Sequence, residues 1–67
     1  MTRLEKLVLH YGSQVEIAKA LDVTEGAVSQ WVSTGGLPAK RAIMIEKLTS
    51  GQFKAVDIVA PSEKEDI

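Results

Sequence analysis

The sequence predicts a small all-α domain, a compact bundle of four to five short helices that contains a helix-turn-helix. Three observations predict it. Apolar residues recur at helical spacing, as in Leu4, Leu7, Val8 and Tyr11. Each such stripe is bracketed by its own start or stop signal. Residues 18–31, AKALDVTEGAVSQW, interrupt a helical pattern at Asp22-Val23-Thr24 and at once restart it with a different exposed face.

The first helix begins at Thr2, where Glu5 three residues on completes the T-x-x-E capping box, and Gly12 stops it. Ser13 opens the second, with Glu16 as another capping box and Ile17, Ala18 and Leu21 as a narrow inward face. Asp22-Val23-Thr24 then forms a three-residue turn. Thr24 is a good N-cap for the third helix, and Glu25 in its first turn suits the helix dipole. Val28, Trp31 and Val32 supply its apolar face, with Trp31 expected in the core beneath the first helix. Ser33-Thr34-Gly35-Gly36 reads as a flexible connector. Pro38 starts the fourth helix, Ala42, Ile45 and Leu48 face inward, and Gly51 ends it. Residues 52–60 are ambiguous between a short helical turn and a single strand. The turn is favoured, because a lone strand has no partner in the chain.

The totals bound what such a domain can be. Sixty-seven residues without cysteine make one core with no disulfide and no thiolate metal site, and the single histidine, His10, removes the usual zinc constellations. No metal and no cofactor are expected. No apolar run is long enough to span a bilayer and the N-terminus lacks a signal-peptide core, which predicts a cytoplasmic protein with no membrane partner. Net charge is −1, but it is unevenly spread. Residues 1–54 hold seven Lys/Arg against five Asp/Glu, whereas residues 55–67 hold one Lys against four Asp/Glu. The expected organisation is therefore a mildly basic domain over residues 1–60 and an acidic, flexible tail over 61–67.

Two short helices joined by a three-residue turn suit the steep crossing of a helix-turn-helix, with small Ala18 at the closest approach. That frame leaves Thr24, Glu25, Gly26, Ser29, Gln30 and Ser33 on the outer face of the third helix. Surface helices normally carry long Lys and Glu side chains, whereas small hydrogen-bonding residues permit close approach to base edges and phosphates in a major groove. Gln30 can bond an adenine edge in bidentate fashion, Ser29 a base or phosphate, and Glu25 a cytosine amino group. Gly26 costs about 1 kcal/mol relative to alanine inside a helix, a cost explained if bare backbone lets the helix sink deeper. Gln14, at the start of the second helix, is placed to bond a phosphate with help from that helix's first amides.

Residues 14–33, QVEIAKALDVTEGAVSQWVS, resemble the helix-turn-helix of phage Cro repressors, especially the small all-helical type. They are also similar to the YdaS-like family of prophage regulators and antitoxins, whose proline-started helix ending I-E-K-x-T-x-G is similar to LPAKRAIMIEKLTSG. The resemblance covers roughly residues 3–58 and implies a lambda-repressor-like, Cro-like fold. It implies that Thr24, Glu25, Gly26, Ser29 and Gln30 face the groove, with Gln14, Lys40 and Arg41 on the DNA backbone; Ser33, on the same outer face, is expected at a phosphate as well. The family turn usually opens with glycine; Asp22 stands there, and Asp tolerates the left-handed conformation better than most residues.

The function expected is a sequence-specific regulator of transcription, a phage or prophage Cro-like repressor whose dimer covers two half-sites of double-stranded DNA about one helical turn apart. Ile43 and Met44, with Phe53 and Val56, form the expected dimer surface unless the tail folds back over them. The alternative is an antitoxin-type regulator whose main partner is another protein. An enzyme, or a small-molecule substrate, is not expected: Ser13, Ser29 and Ser33 read as cap, contact and loop, and His10 as a surface residue near a helix end. Gly35-Gly36 lacks the lysine and serine of a phosphate loop.

Overall fold

A computed structural model describes residues 2–67. Five α-helices follow in order: α1 Arg3–Tyr11, α2 Gln14–Leu21, α3 Glu25–Thr34, α4 Ala39–Leu48 and the single turn α5 Ala55–Ile58. A 3-10 helix, Pro61–Asp66, ends the chain. The fold is the all-α bundle the patterning predicts. Its core gathers Leu4 and Leu7 from α1, Ile17, Ala18 and Leu21 from α2, and Val28 from α3. Ala42, Ile45, Phe53 and Ile58 complete it from the C-terminal half.

The local signals act as read. Thr2 and Glu5 form the reciprocal box: Glu5 N–H donates to Thr2 Oγ1 at 3.1 Å and Thr2 N–H to Glu5 Oε1 at 3.0 Å. The backbone amide of Thr2, and then its side chain, hold the Glu5 carboxyl below its usual range. At α2 the box is half built. Ser13 Oγ accepts from Glu16 N–H at 3.3 Å, while the Glu16 carboxylate turns to Lys19 at 3.7 Å. Asp22 takes the left-handed conformation (φ 57°, ψ 48°), and Val23 N–H reaches back to Ala18 O at 3.0 Å, which closes α2 in a Schellman motif.

Four expectations are corrected. Leu48 is 55% exposed. The inward stripe of α4 runs Ala39, Ala42, Ile45 and then Thr49, whose hydroxyl donates to Ile45 O at 2.8 Å and accepts from Phe53 N–H at 3.2 Å. Ser50 (φ 54°), not Gly51 alone, supplies the left-handed turn after α4, and Gly51 N–H bonds Glu46 O at 2.8 Å. Phe53, expected at a surface, is buried, with the His10 ring packed edge-on 5.3 Å away. Trp31 packs against the core but is only half-buried, and it also lines a groove with Pro38, Ala60 and Pro61 on the C-terminal side of α3.

Residues 52–60 contain both alternatives in miniature. After the α5 turn, Val59 forms one parallel bridge with Leu37: Leu37 N–H donates to Ile58 O at 2.9 Å and Ala60 N–H to Leu37 O at 2.8 Å. A partner for the extended segment thus exists, in the connector between α3 and α4. This crossing also explains Gly36. A Cβ there would lie inside 3.0 Å of the Val59 and Ala60 backbone, so the glycine serves close approach and not flexibility. The acidic residues after Ala60 form the terminal 3-10 helix, and Glu63 Oε1 accepts from Ala39 N–H at 3.1 Å. Among the described residues no helix is long and apolar enough to cross a membrane.

Candidate nucleic-acid interface

The candidate interface lies on α3, which α2 holds from behind. Of all helix pairs, α2 and α3 pack most extensively, with Ala18 buried in α2 and Val28 fully buried in α3. Thr24 caps α3 by accepting from Ala27 N–H at 3.1 Å, which leaves its hydroxyl hydrogen free to point outward. With Val28 fixed inward, helical period turns Gly26, Ser29, Gln30 and Ser33 outward and sets Glu25 at the flank, one turn before Val28; all five are exposed. The face therefore offers two short hydroxyls, one amide, one carboxylate and one bare stretch of backbone.

Gly26 has no reason inside the molecule to be glycine. Its backbone is helical with negative φ, and a Cβ would meet only Thr24 Oγ1, at 3.9 Å. Nothing in the fold asks for it, in contrast to Gly36.

The start of α4 lies next to the far end of this face. Gln30, Trp31 and Thr34 of α3 share one groove of about 540 Å3 with Pro38, Pro61 and Glu63. Lys40 and Arg41 follow Pro38 directly; Lys40 is exposed, and half-buried Arg41 is braced by a 3.4 Å contact from Nη1 to Met44 Sδ. Gln14 stands apart from that groove. It is half-buried at the first position of α2 and lines a separate dent with Val8, Leu9 and Val32. The expected dimer quartet does not hold together. Ile43 and Val56 are exposed and Met44 half-buried, but Phe53 belongs to the core.

Three features escaped sequence reasoning. Glu63 caps α4 across 24 residues, Glu46 Oε1 accepts from Ala55 N–H at 2.7 Å to start α5, and Leu9 stands 63% exposed on α1. The Glu46 and Thr49 bonds give the I-E-K-x-T-x-G pattern a structural meaning, since both side chains secure the turn into α5. Among the described residues no group of three or more His, Cys, Asp or Glu side chains could hold a metal ion.

Residues 3–63 match the family model described as DNA-binding transcriptional regulator Cro. The chain is similar to the regulatory protein cro of Salmonella phage P22, 42% identical over 45 residues that span 67% of this chain and 70% of that protein. No solved structure matches the chain significantly.

Proposed function

The chain belongs to the phage Cro family of DNA-binding transcriptional regulators, and from that premise we propose that it represses transcription by docking α3 of each copy of a homodimer in successive major grooves of a symmetric operator. The observation that carries this reading is the α3 face itself, exposed, small and polar, with a glycine that the fold does not require. Gln30 and Ser29 lie where base edges would be, with Thr24, Glu25 and Gly26 at the helix start. Lys40, Arg41, Ser33 and Gln14 flank them as backbone contacts. Occupation of two half-sites about one helical turn apart excludes polymerase sterically.

Because the domain carries little net positive charge, phosphate attraction supplies modest affinity, and specificity falls to base contacts and to pairing of two copies. On α4 and α5 the exposed apolar side chains available for pairing are Ile43, Leu48 and Val56; Leu9 of α1 and Val15 of α2 are exposed as well. The protein-partner alternative has no separate observation in its favour.

The reading is tested by two substitutions on a selected cognate duplex. Gln30→Ala should cost about 1–3 kcal/mol and relax preference at one base position. Arg41→Ala should weaken binding evenly across sequences and lower the salt slope by about 1. If both proteins bound the cognate site as the parent does, the DNA face would lie elsewhere.

A further inference from the structure

The C-terminal segment is acidic, yet it lies against the start of α4, whose next two residues are Lys40 and Arg41. Residues 61–67 hold three carboxylates, Glu63, Glu65 and Asp66, against Lys64. Pro61, Ser62 and Glu63 wall the groove whose other side is Gln30, Trp31 and Thr34. Glu63 Oε1 takes the Ala39 N–H at 3.1 Å, immediately before Lys40 and Arg41. Pro38, at the N-cap, has no side chain that could do so. The start of α4 thus combines a helix's positive end, an amide that the N-cap residue leaves uncapped and two cationic residues, and the Glu63 carboxylate sits on that amide.

The hold is slight. No residue of the 3-10 helix is buried. Among the described residues, the Ala39–Glu63 bond is the one hydrogen bond that ties residues 61–67 to the helices. The upstream anchor is the Leu37–Ala60 pairing, so release of residues 61–67 would leave the bridge and the core intact.

We propose that the acidic 3-10 helix is an intramolecular competitor for the DNA backbone: Glu63 occupies the α4 site that a phosphate would take, and the segment leaves when the domain docks on a duplex. This rests on the DNA-binding reading above. The device lowers affinity for every duplex by the same factor through charge, so it leaves the ratio of operator to bulk-DNA affinity unchanged. The segment would then set the protein concentration at which DNA is occupied, without touching a base.

The test uses the full chain and random-sequence duplex. Glu63→Gln keeps an oxygen to accept from Ala39 N–H but removes the charge. It should bind about three- to tenfold tighter than the parent at about 50 mM salt, with the gain fading toward about 200 mM. A second readout is amide NMR of the unsubstituted protein, in which the resonances of residues 62–66 should move to free-peptide positions when duplex is added. A purely structural cap predicts the reverse, with weaker binding by Glu63→Gln in step with lost stability and resonances 62–66 unmoved. Equal or weaker binding by Glu63→Gln while the parent binds overturns the competitor and leaves the DNA reading intact. Absence of duplex binding by both proteins overturns both.

Discussion

Gly26 is where fold and function separate most cleanly. An exposed glycine in the first turn of a helix, with open space where its Cβ would be, weakens the domain for no internal gain. Gly26→Ala should therefore stabilise the protein by about 0.5–1 kcal/mol, raising Tm by roughly 2–8 °C in a domain of this size. The same methyl should cost about as much as one lost base contact, roughly 1–3 kcal/mol, in binding to a cognate site. Thermal melts and titrations on the same preparation check both halves. A variant that gained stability and kept full affinity would remove Gly26 from the interface. The polar residues of α3 were legible one by one, since a cap at Thr24 and a buried Val28 fix the phase of the whole helix. Glu63 and Glu46 were not, because each caps a backbone amide distant in sequence, Ala39 and Ala55, and no local pattern marks such a pair.

At the scale of elements, α1 to α3 were readable because their signals are local. T-x-x-E, the serine cap and the left-handed Asp22 each act within five residues. Legibility fades after α3, where order depends on a crossing. The Gly35-Gly36 pair looks like a loose connector in sequence, yet Gly36 is the point at which residues 59–60 pass against the backbone and Leu37 pairs with Val59. Trp31 packs against the core as expected, but only half-buried, and its outer side lines the groove with the C-terminal segment. Phe53 and Leu48 exchange their expected roles for a related reason. The turn at Ser50 and Gly51 folds the chain back so that Thr49 and Phe53, not Leu48, close the end of α4. Gly36→Ala should force that contact open and cost about 1–3 kcal/mol, the usual range for overpacking. Tm should fall by about 5 °C or more, while Gly35, which has a left-handed φ of 99° but open space around it, tests conformation alone. A melt of Gly36→Ala at the parental temperature would show that residues 59–60 yield freely.

For the whole molecule, the division of charge matters more than its sum. A net charge of −1 conceals a mildly basic helical body and an acidic terminus, and the terminus lies beside the end of α3 and the start of α4. On the proposed reading, a domain of this size with limited phosphate attraction gains operator affinity by presenting two copies at once across a two-fold axis, with the exposed apolar side chains of α4 and α5 offered for pairing. Such an axis must be mirrored in the DNA. The most direct measurement is selection of binding sites from random duplex, followed by anisotropy titration of the enriched site against salt. A two-fold symmetric site with half-sites about one helical turn apart, bound at least about a thousandfold more tightly than random duplex, is the expected result. Enrichment of nothing, with weak binding that vanishes in moderate salt, would contradict operator recognition by the α3 face.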